Sequence, residues 1–160
     1  MRRKSALKLY LSPVSCKWLD FKLNNSKCHE YHGPLVKLLN ILIEKMPTVK
    51  TGAFRHSHET IVFLPEESKP NRFGRSVEIW ISPDKMLLLD SFLEKMWKQE
   101  LCQFVTKSEG LMINAEKQMQ IGLIRDFSQK YDLSIDDLPE FTAQKLVNRY
   151  KSKLKTMAIN

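Results

Sequence analysis

The chain has 160 residues, 42% of them apolar and 28% charged, the balance of a globular protein of one domain or at most two small ones. Its 5 Gly and 7 Pro exclude collagen-like and low-complexity classes, and the longest apolar runs, 61–64 and 86–89, fall far short of the roughly 20 residues of a bilayer span. Lys and Arg number 26 against 18 Asp and Glu, a net charge of +8, and no apolar run follows Met1-Arg2-Arg3-Lys4, so this basic start is not expected to be a secretory signal.

Leu7, Leu9 and Leu11 alternate with Lys8 and Tyr10, the period of a half-buried strand. Ser12-Pro13-Val14-Ser15 supplies turn residues. Leu19, Phe21 and Leu23 then alternate with Asp20 and Lys22 on an expected second strand, which Asn24-Asn25-Ser26 ends. Gly33-Pro34 opens a predicted helix on which Leu35, Leu38, Leu39, Leu42 and Met46 recur at three- and four-residue steps until Pro47 stops the run. Residues 60–64 and 76–82 are the next expected strands, with Val77, Ile79 and Ile81 on one face, and the polar stretch 65–75 is the loop between them. The first half therefore predicts an α+β fold, a small antiparallel sheet in the order strand, strand, helix, strand, strand with the helix on one face.

The second half predicts helices. Ser82-Pro83-Asp84 combines a capping hydroxyl, a proline at the first helical position and an acid near the positive end of the helix dipole. The helix it starts carries Met86, Leu89, Leu93, Met96, Trp97, Leu101, Phe104 and Val105 on a wide buried stripe. Lys107-Ser108-Glu109-Gly110 closes it and marks the expected boundary between an α+β domain, 1–106, and a helical basic region, 107–160. Residues 113–130 form the next predicted helix, with Ile121, Ile124, Phe127 and Tyr131 inward. Ser134-Ile135-Asp136-Asp137 resembles a capping box with Asp where Glu is usual, and Pro139 starts a last helix that runs to about Met157. Trp18, Phe21, Trp80, Phe92 and Trp97 fall on these patterns and are expected in the core.

Charge is unevenly placed. Residues 1–30 hold seven basic and two acidic side chains, 31–106 ten and nine, 107–141 four and seven, and 142–160 five and none. The excess sits in the arm Arg2, Arg3 and Lys4 and in the last helix, and such concentrations attract polyanions because each neutralised phosphate releases condensed counterions. At 100° per residue, Leu146, Val147, Tyr150, Leu154 and Met157 gather on one side of that helix; Lys145, Arg149 and Lys153 line one flank, and Lys151 and Lys155 the other. The preceding helix, the Tyr131-Asp132-Leu133-Ser134 link and this helix have the order of a helix-turn-helix, in which the second helix enters the major groove. Asn148 and Arg149 have side chains able to read base edges, and Lys145, Lys151, Lys153 and Lys155 suit phosphates. These features predict a non-enzymatic DNA-binding protein. A reading from another class is an interaction or assembly component, whose apolar helices over 82–107 and 113–130 form the interface of a homodimer.

The run Ile121-x-x-Ile124-x-x-Phe127-x-x-x-Tyr131-x-Leu133, followed by Leu146-x-x-x-Tyr150-Lys151-x-Lys153, resembles the tail of uncharacterised proteins from Bacteroidota prophages and mobile elements. In those proteins a comparable ending follows a small sheet-containing region. The resemblance runs loosely from Leu7 to Lys155 and implies a mobile-element setting and DNA binding but no established activity; with the basic last helix it leads to the expectation of an accessory or regulatory protein.

The histidines form two clusters, Cys28-His29-Glu30-Tyr31-His32 and His56-Ser57-His58-Glu59. Side chains two apart on a strand share a face, so His56 and His58 would reach one ion, with Cys28 or His32 as further ligands. The spacings fit no paired CxxC or HxxxH pattern, and the expectation is histidines flanking turns, without a bound metal. A third reading, a metal-dependent single-strand nickase, uses His56 and His58 to hold a divalent ion that polarises the scissile phosphate and Tyr150 as the attacking nucleophile. Ser57 stands where that motif carries a hydrophobic residue, and Tyr150 lies on the apolar side of its helix. No GxGxxG, GxxxxGK[ST] or GxSxG occurs, so no cofactor is expected. Cys16, Cys28 and Cys102 are odd in number and lack framework spacing, which points to a reducing, cytoplasmic compartment.

Overall fold

The computed structural model describes residues 5–24, 29–48, 52–64, 79–110 and 117–159. In chain order its elements are β1 (Ser5–Tyr10), α1 (Pro13–Asn24), α2 (His29–Leu42), β2 (Glu44–Lys45), β3 (Glu59–Leu64), β4 (Ile79–Trp80), α3 (Pro83–Gly110), α4 (Lys117–Lys130) and α5 (Glu140–Ile159). The fold is α+β with antiparallel pairing, and the chain divides into two compact units, Met1–Phe92 and Leu93–Asn160. The division falls inside α3, while the stretch at 107–110 closes that helix.

In the first unit the leucine alternation builds β1, which pairs with β3 in a register that sets Leu7 opposite Val62 and Leu9 opposite Thr60. These four side chains are buried, whereas Lys8 and Ile61, one residue along, lie on the outer face, as the two-residue period of a strand requires. On that outer face Lys8 Nζ lies 3.1 Å from one oxygen of Glu59, and Tyr10 donates its hydroxyl to the other at 3.0 Å. The Tyr10 ring stacks on Phe54 with centroids 4.3 Å apart.

The expected second strand is a helix. Ser12 sits before α1 with Pro13 at its first position, and the Cys16 amide donates to the Ser12 carbonyl at 2.9 Å, the first bond of the ladder. The four residues Ser12-Pro13-Val14-Ser15, expected as a turn, are thus a helix start. Val14, Ser15, Trp18, Leu19 and Lys22 are buried, a three- and four-residue spacing, and Phe21 and Leu23, which suggested a strand, are half-buried.

Two further departures concern α2. It begins at His29, so Gly33-Pro34 lies in its second turn rather than its first, and it ends at Leu42 rather than at Pro47. Ile43 still donates to Leu39 at 2.9 Å, after which Glu44–Lys45 finds its backbone partners on β4. The expected single sheet is replaced by two, β1–β3 and β2–β4, because the segment between β1 and α2 is helical and the third strand in sequence pairs with the first. The loop 65–75 and Val77 lie outside the described residues.

The Ser82-Pro83-Asp84 start holds: the Met86 amide donates to the Ser82 carbonyl at 2.8 Å, and Met86, Leu89, Leu93, Trp97, Leu101 and Val105 are buried. Phe92 is not a core residue but is 44% exposed, because it lies on the outer arc with Leu88 one turn before it. In the second unit, Ile124, Phe127 and Tyr131 are buried as expected, joined by Leu123 and Gln120, while Ile121 is only half-buried. The Phe127 ring packs between Phe104 and Tyr131, with centroids 6.0 and 4.7 Å away. The Tyr131 hydroxyl donates to Glu100.

Between α4 and α5 the backbone turns twice. The Leu133 amide donates to the Ser128 carbonyl at 2.8 Å and the Asp132 amide to the Gln129 carbonyl at 3.2 Å, with Asp132 in the left-handed region at φ 52°. These bonds define a Schellman motif with Asp at the position usually held by Gly. The capping box then forms reciprocally: Ser134 donates from its amide and its hydroxyl to Asp137 Oδ2, each at 2.8 Å, and the Asp137 amide donates back to Ser134 Oγ at 3.2 Å.

Candidate nucleic-acid interface

The exposed flank of α5 is built by a simple rule. Ala143 and Val147 are fully buried, which fixes the inner side, and residues four apart on the opposite arc form a row that turns slowly about the axis. Lys145, Arg149 and Lys153 occupy that row and are exposed, as is Lys155 on the other flank. Among the described residues none of these four has an ion-pair partner. From Phe141 to the end of α5 the sequence holds no acid, so nothing on the helix beyond its first residue opposes their charge.

Two of the predicted contacts are otherwise engaged. Lys151 Nζ lies 2.5 Å from Glu109 Oε2 near the end of α3, within the same unit. Asn148 accepts from Gln120 Nε2 at 3.2 Å and so ties α5 to α4. Lys151 meets a ligand only in competition with that acid, whereas the amide N–H groups of the exposed Asn148 take no part in its bond to Gln120. Arg2, Arg3 and Lys4 lie outside the described residues.

The inner side of α5 is shorter than its apolar pattern. Leu146 and Tyr150 are half-buried, but Leu154 is 44% and Met157 77% exposed, so the last turns leave the packed surface. At the other end, Phe141 is 66% exposed, and Lys145 Nζ lies 4.2 Å from its ring centroid. In the sequence Phe141 carries no signal beyond its place one helical turn before Lys145. Beside it, Glu140 pairs with Arg125, whose Nε and Nη2 lie 2.5 and 3.3 Å from its oxygens. The guanidinium holds the Glu140 carboxyl below its ordinary value.

The histidines occupy the first unit. They precede β3 rather than lie on a strand, so the two-residue period that would align them is missing. His56 Nε2 lies 3.1 Å from Asp90 Oδ2, while the other oxygen of Asp90 accepts from the Ser12 amide at 3.1 Å and the Ser12 hydroxyl at 2.9 Å. His58 has an exposed side chain, and its carbonyl accepts from the Leu11 amide at 3.1 Å. Asp90 is buried on the apolar stripe of α3, the one acid there, and that interruption was its signal in the sequence. Cys28 lies outside the described residues, and the side chain of His32 is not described. Among the described residues, no three His, Cys, Asp or Glu side chains are grouped to hold an ion. Tyr150 belongs to the second unit and is half-buried.

Cys16 and Cys102 are buried free thiols, and desolvation raises both above their ordinary values, Cys16 to about 11. No helix among the described residues is long and apolar enough to cross a membrane. No protein-family model, curated protein or solved structure matches the chain.

Proposed function

We propose that the chain binds DNA through the outer flank of α5 and acts as a non-enzymatic accessory or regulatory protein. The observation that carries this reading is the row Lys145, Arg149 and Lys153, exposed at four-residue steps with no ion-pair partner among the described residues. Three like charges on one rigid row are held where phosphates would release counterions, and Arg149 has the planar fork that suits guanine edges. The α4–link–α5 order is that of a helix-turn-helix, although the link runs nine residues, 131–139, where that motif has three or four. The basic residues Arg2, Arg3 and Lys4 supply a second contact, and the tail's resemblance to prophage proteins supplies a mobile-element setting. The buried thiols suit a reducing compartment such as the cytoplasm.

The test is a salt series. Each phosphate neutralised contributes about 0.9 to the slope of log affinity against log salt, so neutralising Lys145, Arg149 and Lys153 together should flatten the slope by nearly three. Absence of binding to duplex and single strands at low salt removes the reading. A second reading, self-association, is favoured by Leu87, Leu88 and Phe92, all exposed on α3. It requires a dimer that grows with concentration and persists in high salt, measured by sedimentation.

A further inference from the structure

We infer that Phe141 is a stacking platform for an unpaired base, and that the row it begins, Phe141, Lys145, Arg149 and Lys153, holds single-stranded DNA. This rests on the DNA-binding reading and adds an unpaired strand as a further ligand of the same row. The four side chains follow at equal steps, about 6 Å along the helix axis for every four residues, so ring and cations form one continuous track.

Three features set Phe141 apart from an incidental surface ring. It is a large apolar group left 66% exposed at the head of α5, although the inner side of the same helix buries Ala143 and Val147. The Lys145 ammonium lies over one face of the ring, 4.2 Å from its centroid, so a base laid against the other face stacks on a ring already backed by a cation. The neighbouring acid, Glu140, is compensated by Arg125 and presents no unopposed charge to an approaching phosphate.

An aromatic face beside a line of cations is the arrangement that holds single strands: bases stack on the ring while phosphates follow the charge. In a duplex the base faces are covered by their neighbours, so an exposed ring face gains a stacking partner there only by unstacking a base step, a cost that an unpaired base does not carry. Arg149 and Lys153 then meet the backbone on one side of the stacked nucleotide.

The experiment uses the full chain with a labelled oligothymidylate and a labelled duplex of the same length, read by anisotropy over a salt series. Phe141→Ala is expected to weaken the single strand by about 5- to 150-fold, the range for losing one stacked base, with an unchanged salt slope and little effect on the duplex. Phe141→Trp is expected to keep or improve single-strand affinity. Phe141 is exposed, so both variants should keep the helical circular dichroism of the parent. Unchanged single-strand affinity in Phe141→Ala, or a loss as large on the duplex, overturns the inference while the DNA reading stands. Failure of the parent to bind either form at low salt removes both.

Discussion

Cys16 shows how a single side chain reports its surroundings. Its thiol, on α1, is buried 3.8 Å from both the Leu11 and the His58 carbonyl oxygens, and desolvation outweighs the weak bond to Leu11, so its value rises to about 11. The thiolate, the reactive form, is therefore scarce near neutral pH. Iodoacetamide at pH 8 should leave Cys16 and Cys102 unmodified in the folded protein and modify both in guanidinium chloride, with peptide mass mapping to locate the label. Labelling of Cys16 within minutes in the native state would contradict its enclosure. Asp90 shows what the sequence understates: a lone acid in an apolar stripe is visible, but its partners Ser12 and His56 come from far along the chain.

At the scale of elements, local chemistry decided the ends and tertiary contacts decided the type. The α3 start and the 134–137 capping box were legible because caps act within four residues. The stretch 13–24 was ambiguous because Leu19, Phe21 and Leu23 satisfy a two-residue period while Val14, Ser15, Trp18, Leu19 and Lys22 satisfy a helical one; burial of the latter set chose the helix. The Schellman turn at Asp132 was not legible, since Asp at that position carries no glycine signal. A β-branched side chain there should be costly: Asp132→Val should lower stability by about 1–2 kcal/mol in a denaturant melt, and Asp132→Gly should not, because only glycine adopts a positive φ without steric conflict. Equal losses in both variants would point instead to the Asp132 side-chain interactions.

The whole molecule carries 26 basic and 18 acidic residues, so acid removes the only charges that offset its cations. Glu59 is one such group. The Lys8 ammonium and the Tyr10 hydroxyl bond its carboxylate and hold it below the ordinary carboxylate value. A depressed carboxyl stabilises the fold at pH above the unfolded value, about 4.3, and that contribution is lost as pH falls through the lowered folded value. Glu140, lowered by Arg125, acts in the same sense. Acid unfolding followed by circular dichroism should therefore begin near pH 4 and move to lower pH when salt screens the repulsion among cations. A midpoint that ignores ionic strength would show that repulsion plays no part.

Composition and spacing by themselves determined the α+β class, the leucine face of β1, the helical second half and the concentration of cations at the two ends, because charge totals and short-range periodicity need no partner. Only the tertiary structure decided which polar side chains of α5 are engaged. Lys151 and Asn148 stand on the same basic helix as Arg149, yet one is taken by Glu109 and the other by Gln120. Such pairings join residues dozens of positions apart, and a linear pattern holds no record of which distant acid or amide folding will bring within 3 Å or so of a side chain.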